Sequence, residues 1–327
     1  MPLLPLLADK LQVWGAKDST FNMFRGLQRR TWVQNHLLFL TAGRALRRLA
    51  AAQVPAMALT GVVLASTFYE TMSLRPTKKV DLLVRPPDGL KALDLLEGLG
   101  WRVAPGQYRP RATNELVVQR SIALEDPANP AIQVDLHWRL LRARFSEEAE
   151  TALWERAVRF EIDGAECLAP CPADMLTHVC VHGAIWNAVP PIQWIADAAI
   201  LVRSGAVDWF HLCAQSERLG LALPLIATLN YLRKVMRVPV PDIVIQKLTQ
   251  THVKSIERLI YESGLRPPGQ MNLITALRIH RYIARNELAR RQGLGGYWRY
   301  FLALRRGRSL PEIGRWVGRR LAQGASS

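Results

Sequence analysis

The stretch from Val54 to Val84 constrains the fold more than any other part of the chain. It holds two short apolar runs, Val54-Pro55-Ala56-Met57-Ala58-Leu59 and Lys79-Val80-Asp81-Leu82-Leu83-Val84. Each run is closed by a breaker, Thr60-Gly61 in the first case and Arg85-Pro86-Pro87 in the second, so both read as strands. Between them, Val62 to Thr71 has helical character and Met72 to Lys78 is a polar loop containing Pro76. Asp88-Gly89 opens another helix, Leu90 to Leu99, with Gly100 as its C-terminal cap. Trp101-Arg102-Val103, Glu115 to Leu124 and Ala131 to Leu140 read as further strands. Strand, helix, strand, helix and strand followed by more β structure make an α/β domain.

The flanks read differently. Residues 1–53 are helical, with Trp32 to Ala52 apolar-periodic and Arg44, Arg47 and Arg48 on its polar side. After Cys171-Pro172 almost everything is helical: Asp174 to Asn187, Pro191 to Arg203, Trp209 to Leu219 and Ala222 to Met236, then more helix from Asp242. The expected organisation is a helical segment over 1–53 packing on the next domain, an α/β domain over 54–170, and a helical domain over 171–327. At 327 residues, the chain has the length of about two domains.

Bulk properties narrow the class. Hydrophobic residues at 49% and charged residues at 21% are ordinary for a folded globular protein. No apolar run approaches the roughly 18 residues of a membrane span, and the opening Met-Pro-Leu-Leu-Pro-Leu-Leu lacks the basic region of a signal peptide. The expectation is a cytoplasmic protein. Its four cysteines, Cys167, Cys171, Cys180 and Cys213, are expected to be reduced and structural. Cys167 and Cys171 could pair two thiols on a hairpin, but no second Cys/His pair has zinc-site spacing.

The formal charge of +16 is unevenly placed. Residues 278 to 320 hold twelve arginines, no lysine and two acids, a net +10. Tyr297, Trp298, Tyr300, Phe301 and Trp316 are interleaved with them. Such a segment suits RNA or another polyanion, a membrane surface or acidic partner, or simply a solvated helix face. The last of these fits the end of the chain well: Ser309-x-x-Glu312 is a capping box, and Ile313, Trp316, Val317 and Leu321 form an apolar stripe.

The two strands also carry chemistry. Nucleotidyl transfer uses divalent metals gathered by carboxylates on neighbouring strands. Asp-x-Asp on one strand puts both side chains on one face, and a strand ending in a Gly-containing turn before a helix offers backbone N–H groups to a triphosphate. The chain follows that layout: strand, Thr60-Gly61, helix, Arg75, then the strand bearing Asp81.

On these residues the sequence resembles the bacterial uncharacterised nucleotidyltransferase-like proteins of the polymerase-beta superfamily. The matching pieces, in order, are Leu59-Thr60-Gly61, Tyr69, Arg75, Val80-Asp81-Leu82-Leu83-Val84, Leu99-Gly100-Trp101, Val134-Asp135-Leu136-His137-Trp138, His182 and Trp194-Ile195-Ala196-Asp197. They extend over about residues 30–240. The resemblance implies an α/β nucleotidyltransferase-type domain with a mixed sheet, followed by an all-α C-terminal domain. It implies Mg²⁺-dependent transfer of a nucleoside monophosphate from an NTP to an unknown acceptor. Asp81 and Asp135 would hold the metal, with Asp81, Asp135 and His137 as catalytic residues, and Thr60, Gly61, Arg75 and Lys79 would face the nucleotide.

Two positions depart from the family pattern. Thr60 stands where the family has lysine, and Lys79 stands where it has the first aspartate of Asp-x-Asp. An ammonium there repels Mg²⁺ and can pair with Asp81 or Asp135, which leaves transfer weak or lost. The alternative is a catalytically inactive relative that binds nucleotide, RNA or a biosynthetic partner. In the helical half, Asp174, His178 and His182 recur at four-residue spacing along one face. They could bind a metal, or form a buried hydrogen-bonded link, with His182 to Asp197 the expected contact. No Gly-x-Ser-x-Gly and no Walker sequence occurs, so neither a serine hydrolase nor a P-loop is indicated.

Overall fold

The computed structural model describes residues 3–13, 19–116, 120–126, 129–141, 147–185 and 192–267, with isolated positions between 275 and 282. Nearly all of the arginine-rich end, including the helix read at 309–321, lies outside the described residues.

Two helices open the chain: α1 (Leu4–Val13) and the long α2 (Ser19–Ala51). They are followed by β1 (Ala56–Ala58), α3 (Thr60–Thr67), β2 (Lys79–Val84), α4 (Gly89–Glu97), β3 (Arg102–Val103), β4 (Ser121–Asp126) and β5 (Asn129–His137). Then come α5 (Glu147–Glu155), the hairpin β6 (Val158–Ile162) and β7 (Ala165–Ala169), and α6 (Pro172–Gly183). The described helices end with α7 (Gln193–Arg203), α8 (Trp209–Leu219), α9 (Ala222–Lys234), α10 (Asp242–Gln250) and α11 (Ser255–Gly264).

The seven strands form one mixed sheet in the order β3-β4-β5-β2-β1-β7-β6. β2 lies at its centre, antiparallel to β1 and parallel to β5, with Asp81 opposite Asp135. Alternation then decides which side chains meet. Val80, Leu82 and Val84 point into the main core together with Leu38, Ala42, Ala45, Leu46 and Leu49 of α2, whose spacing of three and four builds one helical stripe. Leu83 points to the other face and packs with Met57, Leu59 and the α5 residues Leu153 and Trp154. Lys79 and Asp81 share that second face.

β7 ends at Ala169 and α6 starts at Pro172. The main core runs on without a break into Leu176, Leu201, Leu212, Leu229 and Leu248, so the helical half packs directly on the α/β half. Gly183 marks how close α6 and α7 come, since a Cβ there would overlap the Trp194 indole.

The strand expected over Glu115 to Leu124 is shorter than read. Residues Thr113–Glu115 form a single 3-10 turn, because the buried Glu115 carboxylate accepts from Tyr108 Oη at 3.0 Å and the Arg111 N–H at 2.9 Å. All four cysteines are free, as expected of reduced thiols. No described helix is long and apolar enough to cross a membrane.

Candidate functional site

The carboxylates converge because β2 and β5 run parallel and in register. Asp81, Asp135 and His137 present ligand atoms all within 4.8 Å of one another. His137, at the end of β5, is buried, and its Nε2 lies 3.1 Å from Asp81 Oδ1. Its Nδ1 is also buried and has no hydrogen-bond partner among the described residues.

Lys79 completes the cluster. Its Nζ lies 3.1 Å from Asp81 Oδ1 and donates a short hydrogen bond to Asp135 Oδ2. One ammonium thus bridges both carboxylates that the resemblance assigns to metal. Burial alone would lower the Lys79 pKa, but the charge of Asp81 and the hydrogen bond to Asp135 outweigh it and hold it above the ordinary value. Burial likewise opposes ionisation of Asp81. The His137 hydrogen bond and the Lys79 charge prevail, holding its carboxyl well below the usual range. Asp81 therefore stays an anion and Lys79 a cation throughout the physiological range.

Thr60 and Gly61 open α3 beside this cluster. The first N–H groups of the helix lie outside the helical ladder, and the Leu59 side chain does not cap them. A Cβ at Gly61 would make ordinary contact, 3.7 Å from Arg75 Nη1 and Thr77 Cγ2. The turn therefore does not require glycine on steric grounds. Thr60 Oγ1 lies 2.7 Å from Nδ1 of His178 on α6.

Sequence reasoning set His178 and His182 apart from the carboxylates, yet α6 brings them alongside. The two rings pack edge to face at 4.5 Å, near enough for Asp81, His137 and Arg120 to act on both. Burial, then the neighbouring His182, holds His178 well below its ordinary pKa. Burial, then the Arg120 charge, pushes His182 down to about 4. Both imidazoles are neutral near pH 7. Arg120, just before β4, was not singled out from the sequence. No local motif marks it, because only the pairing of β4 with β5 carries it there.

Arg75, expected to meet phosphate, is buried and bonded within the fold. Its Nε and Nη2 donate to Oδ1 and Oδ2 of Asp197 at 2.9 and 2.8 Å, and its Nη1 donates to the Gly61 carbonyl at 2.8 Å. Tyr69 Oη donates to Asp197 Oδ1 at 2.7 Å. The expected His182 to Asp197 contact is replaced by this network. A guanidinium makes two charge-assisted bonds to a carboxylate, whereas a neutral imidazole makes one weaker bond. Asn35 of α2 holds the same loop, donating to the carbonyls of Met72 and Arg75 and accepting from the Thr77 N–H.

Asp174, in the same row on α6, takes partners of its own. It accepts from the Cys171 thiol at 3.2 Å and lies 3.1 Å from His211 Nε2. Burial and the Asp174 charge push the Cys171 thiol up to about 11, so it is no thiolate at neutral pH.

A family described as "Uncharacterised nucleotidyltransferase" matches residues 2–237. The solution structure of the antibiotic-resistance factor ANT(2'')-Ia aligns with 14% identity and a TM-score of 0.37, over 62% of this chain and 99% of that one. An antigenic nucleotidyltransferase-like protein from Paracoccidioides brasiliensis aligns with 16% identity and a TM-score of 0.40, over 66% of this chain and 94% of that one. No curated protein sequence matches the chain.

Proposed function

Because the chain belongs to the uncharacterised nucleotidyltransferase family, we propose that it binds a nucleoside triphosphate beside α3 and that Lys79 stands in place of a catalytic metal. Nucleotidyl transfer to an acceptor is then weak or lost. One observation carries the reading: a single ammonium lies between Asp81 and Asp135 and contacts both. A divalent cation does not fit there while Lys79 keeps those contacts. Two carboxylates and one ammonium leave a net charge of about −1, and like-charge repulsion between Lys79 and an incoming dication opposes binding further.

The roles of the remaining residues follow from their places. The free N–H groups at the start of α3 suit a phosphate oxygen. Lys79, partly exposed, retains donor capacity toward the same phosphates. Arg75 acts at one remove: through the Gly61 carbonyl it fixes the turn that presents those N–H groups, and Asp197 fixes Arg75 in turn.

Nucleotide titration of the full chain in Mg²⁺ and in EDTA tests this, alongside pyrophosphate release by wild type and Lys79→Asp. The expected result is wild-type binding that survives EDTA with little pyrophosphate release. Lys79→Asp should make both binding and release depend on Mg²⁺. Wild-type binding that vanishes in EDTA, or Mg²⁺-dependent release as fast as that of Lys79→Asp, would contradict the proposal.

A further inference from the structure

The solvent face of α2 combines arginines with exposed apolar side chains. From Ser19 to Ala51 the helix contains six arginines and no acidic residue. Val33, Leu37 and Leu40 are 48%, 43% and 48% exposed and recur at i, i+4 and i+7, so they form one outward stripe. At about 100° per residue, Arg29 and Arg30 continue that line before the stripe, and Arg44, Arg47 and Arg48 continue it after. Arg47 is held by Asp163 of the β6–β7 turn. Arg29, Arg30, Arg44 and Arg48 are exposed and have no acidic partner among the described residues. Trp32, 47% exposed, flanks the stripe.

We infer that this face lies flat on a membrane surface rich in anionic lipid. The line from Arg29 to Arg48 spans about 28 Å at 1.5 Å per residue, with apolar side chains in its middle and cations at both ends. A bilayer surface meets both needs at once: acyl chains receive Val33, Leu37 and Leu40, headgroup phosphates receive the guanidiniums, and an indole sits well at the boundary. A second copy of the chain fits poorly. Packing α2 on its own symmetry mate would set arginines against arginines, and α2 has no acidic residue of its own to pair them. Nucleic acid fits less well: valine and leucine at the centre of the face offer bases no stacking surface, and the Trp32 ring beside them already packs on His36.

Vesicle flotation of the full chain tests the inference. The protein is expected to float with phosphatidylcholine vesicles that include phosphatidylserine, and not with phosphatidylcholine alone. Arg44→Gln with Arg48→Gln should lower the partition coefficient roughly thirtyfold, about fivefold for each arginine near the surface. Val33→Ser, Leu37→Ser and Leu40→Ser together should lower it at least roughly tenfold through lost burial. All five positions are solvent-facing, so unchanged circular dichroism is expected to accompany these losses. Three results would overturn the inference. One is no flotation by wild type. Another is undiminished flotation by both variants, which would place the contact on another segment. The last is a dimer or acidic-protein complex that the serine substitutions disperse while lipid binding stays the same.

Discussion

Asp197→Ala should be among the most damaging single substitutions in the chain, and its cost can be worked from the geometry. Arg75 is 9% exposed and Asp197 4% exposed, and two bonds of 2.9 and 2.8 Å join them. Truncating Asp197 leaves Arg75 a buried cation with only the Gly61 carbonyl and Thr77 Oγ1 as acceptors among the described residues, and it strips Tyr69 of its acceptor. Breaking a buried ion pair from one side costs about 3–5 kcal/mol, because the remaining charge is left uncompensated. At roughly 2–4 °C per kcal/mol for a domain of this size, thermal unfolding should fall by about 10 °C. Circular dichroism melts and urea titrations of wild type and variant measure this. Replacing the pair with apolar residues, Arg75→Met with Asp197→Leu, should recover much of the loss, since the desolvation cost disappears along with the pair. A shift under about 2 °C for Asp197→Ala would refute the claim that this pair clamps α7 to the loop behind Gly61.

Stability should also depend on pH in a defined direction. His178 and His182 have folded-state pKa values below their ordinary 6.5, His182 at about 4. The unfolded chain therefore binds more protons in that window, and stability is lost as pH falls from about 6.5 to about 4. His178→Gln with His182→Gln should flatten that slope in urea titrations across the range; an unchanged slope would show that other groups set it. Asp81, held low, adds a loss in the same direction below the ordinary carboxylate range. Tyr69, held high by burial and then by Asp197, adds a loss as pH rises past its ordinary 10. Gly183→Ala forces the Trp194 indole aside and should cost about 1–3 kcal/mol by urea denaturation. An unchanged midpoint would mean that the α6–α7 contact is looser than described.

The sequence carried most of the secondary structure because the strongest local signals coincided with real elements. The Lys79 to Val84 run is β2 and Trp209 to Leu219 is α8, residue for residue. The β6–β7 hairpin was equally legible but overlooked. Asp163-Gly164 between two short runs is a strong turn signal, and both residues adopt positive φ, 50° and 69°. The polar helix α5 was harder, since Glu147-Glu148 and Glu150 dilute its apolar period. Within the site, the pairing of Lys79 with acids followed from period-two alternation alone. That both Asp81 and Asp135 engage the same ammonium required the parallel register of β2 and β5. Period 3.6 placed Asp174, His178 and His182 on one helix face, but it could not say which neighbour each would meet. Tertiary packing sends Asp174 to His211, sends His178 to Thr60, and gives Asp197 to Arg75.

The central claim is that the Lys79 ammonium fills the place between Asp81 and Asp135 where a metal would bind. Mn²⁺ titration of the full chain, followed by electron paramagnetic resonance, tests it most directly. Wild type should leave Mn²⁺ free at concentrations where Lys79→Ala binds one equivalent, and adding Asp81→Asn to Lys79→Ala should abolish that binding. Wild type that binds one Mn²⁺ as tightly as Lys79→Ala, and loses it on Asp81→Asn, would contradict the account.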